Sequence, residues 1–192
     1  MTAENNLYKK TEKFVIDSFT RIGKEYEVKH LLRTVYWIRK MNKLIYNRTA
    51  DEALLISAVA HDIERAYRKD DVKKIISSGF LSKKFLRLHQ ERGAEIISDF
   101  LKTKKANQRL IEKVKQLVSK HEEGGNEDQN LLKDADSLSF FECNVNKFLG
   151  KAETKGKEYV KEKFEWMYTR ITSKKAKDIA KPLYEDAMKR LE

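Results

Sequence analysis

Thr49-Ala50-Asp51-Glu52-Ala53-Leu54-Leu55-Ile56-Ser57-Ala58-Val59-Ala60-His61-Asp62 carries the most hydrophobic helix of the chain. Thr49 and Glu52 stand at capping-box spacing, so the hydroxyl and the carboxylate are each expected to satisfy a free backbone N–H at the helix start. From Ala53 onward the run is apolar on every side, the mark of a helix buried in the centre of a fold rather than laid on its surface. It ends in a histidine and an aspartate side by side, and burying such a pair is costly unless both groups find partners.

A central helix needs others around it, and the pattern is helical almost everywhere. Helices are predicted over about Asn5–Ile22, Glu27–Met41, Ser82–Leu101, Asn107–His121, Asp128–Asn144 and Lys155–Ile171, with a short one near Val72–Ser77 closed by Ser78-Gly79. A loop is expected at Gly150. A last helix carries Leu183, Tyr184, Ala187, Met188 and Leu191, and Pro182 either opens or kinks it. Seven glycines and one proline in 192 residues come to about a third of average usage, which argues against a β-sandwich or barrel. No repeat or linker divides the chain. The expectation is an all-α, single-domain helical bundle over residues 1–192, its motif-bearing core at about 27–144.

Lysine and arginine number 41 against 30 acidic residues, a net charge of +11. The positive residues are scattered in short groups and read as solvated helix faces, with a general preference for anionic ligands. No apolar run approaches the ~20 residues of a membrane span, and Met1–Lys10 lacks a signal-peptide core. The single cysteine, Cys143, excludes a disulfide framework or a cysteine-built zinc site. A reducing, cytoplasmic setting with no membrane partner is expected.

The four histidines, His30, His61, His89 and His121, each lie on or beside the apolar stripe of a different predicted helix. Asp62 follows His61, and Asp136 sits four residues after Leu132, turned inward if Leu132 is. Asp134 is rotated from it by about 200°. Any one histidine is most simply a core residue with its own hydrogen bond. Six such groups converging would need many separate partners, whereas one or two metal ions satisfy all of them at once.

His30-Leu31-Leu32-Arg33-Thr34-Val35, Leu55 to Ile63 around His61-Asp62, and Lys133-Asp134-Ala135-Asp136-Ser137-Leu138 together resemble, in this order, the motifs of the HD-domain superfamily of metal-dependent phosphohydrolases. The segment His89 to Ile97 and then His121 resemble the extra histidines of its two-metal members. The resemblance covers about His30–Leu138. It implies one ion on His30, His61, Asp62 and Asp136 and a second on Asp62, His89 and His121, with Asp62 bridging. Imidazole-rich ligation suits Fe, Mn, Co, Ni or Zn and disfavours Ca or Mg.

The activity implied is hydrolysis of a phosphate ester, a nucleotide in particular, through a metal-activated bridging water. Asp62 and Glu64 are the candidate catalytic carboxylates, Glu64 as a proton shuttle. Arg33, Arg65 and Arg92, each three residues after a motif residue, are candidates for binding a small phosphorylated substrate. Of Glu122 and Glu123, at least one is expected in solvent. Asn144, Asn146, Lys163 and Arg170 are further candidates for the pocket, and Cys143 is not a nucleophile. Two alternatives share the ligand set: a di-iron oxygenase resembling myo-inositol oxygenase, which needs a closed pocket with a lysine near the metals, and a metal-stabilised module that binds a nucleotide or RNA without turnover.

Overall fold

The computed structural model describes residues 4–68 and 82–192. These form helices α1 (Glu4–Thr20), α2 (Tyr26–Tyr46), α3 (Glu52–Ala60), α4 (Lys83–Thr103), α5 (Gln108–Val118), α6 (Glu127–Cys143), α7 (Val145–Leu149), α8 (Ala152–Lys155), α9 (Lys157–Thr169) and α10 (Lys174–Lys189), with one 3-10 turn at Ile63–Ala66. No strand occurs among the described residues, so the protein is all-α. The helix expected near Val72–Ser77 lies outside the described residues.

The apolar run does form the central helix. Leu54, Ile56, Ala58, Val59 and Ala60 of α3 are all at most 1% exposed. Helices α1, α2, α5 and α6 pack around α3, α2 lies along α6, and α4 pairs with α5. The expected capping box is displaced. Asp51, not Thr49, is the N-cap and accepts from Leu54 N (2.9 Å), while Glu52 accepts from Tyr8 N on α1 (3.0 Å). A complete capping box stands instead at Asn126 and Gln129, where α6 begins. Just before it, Gly124 has φ +77°, a conformation in which a side chain is strained.

Other boundaries move by a few residues. Helix α2 runs to Tyr46, past the end of its apolar face, until Asn47 closes it in the left-handed region (φ 50°). The loop expected at Gly150 is flanked by the short helices α7 and α8. Pro182 lies inside α10, exposed, so it does not open that helix. Asp134 turns away from the centre and accepts from the backbone N–H groups of Thr172 (2.8 Å) and Ser173 (2.7 Å), which docks the α9–α10 turn onto α6.

Candidate metal centre

Four segments bring the histidines together. His30 is on α2 and His89 on α4, while His61 and His121 follow the last residues of α3 and α5. The expected helix to His121 stops at Val118, yet His121 is still fully buried because the turn folds its ring back. Ring centroids lie 5.3 Å apart for His30–His61, 5.2 Å for His61–His121 and 5.3 Å for His89–His121.

Every ring is anchored by the same nitrogen. Nδ1 of His61 donates to Ala58 O (2.9 Å) and Nδ1 of His121 to Val118 O (2.7 Å). Nδ1 of His89 donates to Glu64 Oε2 (2.8 Å). Ser139 Oγ donates to the His30 carbonyl (2.7 Å), so its lone pair accepts from His30 Nδ1 (2.9 Å). In the neutral imidazoles each Nδ1 carries the proton and each Nε2 faces inward, the tautomer that metal-binding imidazoles adopt, and without metal the second proton that Asp62 and Asp136 favour on His61 would sit on its Nε2.

Two carboxylates meet those lone pairs. Asp62 turns Oδ1 to His89 Nε2 (3.0 Å) and Oδ2 to His61 Nε2 (3.6 Å) and His30 Nε2 (4.0 Å). Asp136 Oδ1 is 3.0 Å from His30 Nε2 and 3.4 Å from His61 Nε2. Adjacent residues on a continuous helix point about 100° apart. His61 and Asp62 share one centre because the helix ends between them, with Asp62 at φ −100°, ψ 12°.

Acceptors facing acceptors need positive charge between them. Among the described residues the Nε2 atoms of His61 and His121 find no hydrogen-bond partner although both rings are fully buried, a costly arrangement for a polar atom. Burial opposes a charged His61, but Asp62 and Asp136 outweigh it and push the group up to about 9. Burial takes His121 the other way, down to about 4. Despite burial, Arg65, His61 and His89 hold Asp62 far below the ordinary range, and Arg170, His61 and His30 do the same for Asp136. The triads His30–His61–Asp62 and Asp62–His89–His121 each place their ligand atoms within 4.8 Å of one another, sharing Asp62. The donor set therefore fits metal ions: converging, buried, ionised where carboxylate, and orphaned at two of the four imidazoles.

The other candidate residues divide. Arg65 reaches the centre, its guanidinium 3.0 Å from Asp62 Oδ2 and 3.7 Å from Glu27 Oε2. Arg33 does not. It pairs with Glu142 and lies over Tyr36 (3.9 Å), on a separate concavity. Arg92 is half-buried and does not line the cavity above the cluster. Glu64 is buried behind His89, with both its oxygens engaged by Arg68. Against burial, His89 and Arg68 hold it down at about 2. It orients His89 and does not line the cavity. Glu122 is buried and Glu123 exposed.

That cavity, about 210 Å³, has His30, His89, Asp136 and Glu122 at its inner end. Asn144 and Lys163 line it, as two of the C-terminal candidates, while Asn146 is tied up with Arg190. Arg170 stands behind Asp136, donating to Asp136 Oδ2, Glu122 Oε2 and Ser137 Oγ (2.9 Å). Sequence reading missed Lys24, Glu27, Lys147 and Lys151, which also line the cavity. None lies within a motif; the one available signal was a local surplus of lysine.

Compared with curated proteins and with solved structures, the chain has no match. A family profile described as a domain of unknown function, DUF4202, matches residues 17–189. Because that match spans nearly the whole chain and all six candidate ligand residues, the protein belongs to the DUF4202 family.

Proposed function

We propose that the chain is a metal-dependent phosphohydrolase acting on a phosphate ester, a nucleotide in particular. The observation that carries this is the set of four inward Nε2 lone pairs and two ionised carboxylates at the inner end of a cavity lined with cations. The resemblance of the same six residues to the two-metal members of the HD-domain superfamily supports it. His30, His61, Asp62 and Asp136 would hold one ion, and Asp62, His89 and His121 the other. When bound, such ions supply an activated water nucleophile and neutralise charge on a phosphoryl group.

The chain's own residues do the rest. Asp62 offers one oxygen to each ligand set, while Arg65 fixes its Oδ2 and keeps it ionised. Glu64, Ser139, Ala58 and Val118 lock the imidazole orientations. Arg65 and Lys163 line the cavity and favour the negative charge that develops on a reacting phosphoryl group. Phe85, Phe140 and Phe148 present ring surface in the same cavity, suited to a nucleobase.

Elemental analysis of protein purified without added metal should find transition metal. A screen of phosphate esters with Mn²⁺, Co²⁺ or Fe²⁺ should release phosphate without oxygen consumption. Metal content near zero after loading, or no release from any ester, would overturn the reading. One observation favours a second reading, an oxygenase: Lys163 lines the cavity, and burial lowers it to about 7. Metal-dependent oxygen uptake with a polyol or phosphonate would select that chemistry.

A further inference from the structure

The cations of the cavity fall into two groups. Those of the inner group neutralise the chain's own carboxylates. Arg65 lies between Asp62 and Glu27, Arg68 holds Glu64, and Arg170, behind the wall, holds Asp136 and Glu122. The outer group is Lys24, Lys147 and Lys151, all half-buried, whereas Lys163 interacts with Glu122 and Asp136 at the inner end. On the cavity wall Glu27 pairs with Lys147 and is shared with Arg65. Lys24 and Lys151 have no carboxylate within 4.0 Å among the described residues.

These ammonium groups crowd one another. Lys151 and Lys163 lie over the same Phe148 ring, 4.1 and 5.9 Å from its centroid. Lys147 and Lys151 are four residues apart at the end of α7, where the chain brings i and i+4 to one side. Burial, then Lys147 and Arg65, push Lys151 below the ordinary lysine range. A concavity holding this much like charge is unfavourable until an anion enters it.

A phosphoryl group reacting at the histidine–aspartate cluster lies at the opposite, inner end and leaves these lysines unused. We propose that the substrate carries a second anionic group, a second phosphate that makes it a bisphosphate, received by Lys24, Lys147 and Lys151 at the outer end of the cavity. The inference rests on the phosphohydrolase reading and narrows its substrate class. A cavity of about 210 Å³, lined also by Phe85 and Met167, suits a small molecule rather than a nucleic-acid strand.

The test compares adenosine and guanosine 5′-monophosphates with their 3′,5′-bisphosphates, using the full chain loaded with Mn²⁺. Charge-assisted hydrogen bonds from two or more lysines should give the bisphosphate at least a tenfold, or about 1.4 kcal/mol, advantage in kcat/KM. In the double variant Lys24→Gln/Lys151→Gln the bisphosphate-to-monophosphate ratio should fall at least about fivefold, mainly through KM, while Lys151→Arg keeps it. Equal rates on both classes, or a ratio unmoved by the double variant, would overturn the bisphosphate assignment and leave the phosphohydrolase standing. If neither class is hydrolysed, calorimetry decides separately. Bisphosphate binding at least tenfold tighter than monophosphate, and lost in the double variant, upholds the outer subsite; equal or undetectable binding refutes it.

Discussion

Replacing Arg170 by methionine removes one guanidinium that three buried groups share. Its side chain is 6% exposed, and those of Asp136 and Glu122 are 9% and 8% exposed. Its Cζ also lies 4.5 Å from the Trp166 ring centre, a contact that methionine keeps in part. Two carboxylates, on α6 and the turn after α5, would then lose the cation they share. Breaking a buried pair by removing one partner costs about 3–5 kcal/mol. For a chain of 192 residues that corresponds to a melting temperature lower by about 6–20 °C. Urea denaturation of metal-free protein is the assay. A second change, Glu122→Gln, should recover at least about 1 kcal/mol, because it removes one of the stranded charges. The pH dependence follows in sign. Arg170 holds both carboxyls below their ordinary range against the effect of burial, so its contribution is full at neutral pH and is lost as pH falls below about 4. The deficit of Arg170→Met should narrow in the same direction. A deficit under about 1 kcal/mol at pH 7, or one that Glu122→Gln leaves unchanged, would refute the reasoning.

His121→Ala should leave one ion per chain in elemental analysis, whereas His61→Ala and Asp62→Ala should abolish both metal and turnover. Glu64→Gln keeps its shape but weakens the hold on His89, so affinity for the ion it shares with His121 should drop about 10–100-fold by metal titration. Ile56→Ala opens a cavity at a fully buried position of α3 and should cost about 2–5 kcal/mol in denaturant unfolding. Lys163, lowered to about 7 by burial, gives up its proton more readily folded than unfolded. Stability should therefore rise with pH between about 7 and 10.4, by roughly 1–3 kcal/mol after solvent screening, and Lys163→Met should flatten that slope.

The helices were legible because burial imposes a period of 3.6 on apolar residues, and α3 could be placed at the centre because it is apolar on every side. The six ligand residues were legible for a related reason: imidazoles and carboxylates written into apolar stripes have few uses other than meeting one another. Spacing failed for Arg33 and Arg92, since three positions along a helix keep a residue near its neighbour but do not fix which wall it lines. Thr49 failed as a cap because Asp51 offered a better-placed oxygen.

Sequence by itself determined an all-helical chain, the identity of the central helix and a set of groups able to bind metal. Tertiary structure alone decided which nitrogen of each ring faces inward, that Arg170 braces Asp136 from 34 residues away, and that lysines from the α1–α2 turn, α7 and α9 line one cavity. Those facts depend on how helices rotate and where turns send the chain. Periodicity specifies the buried face of each helix and leaves the angles between helices to packing.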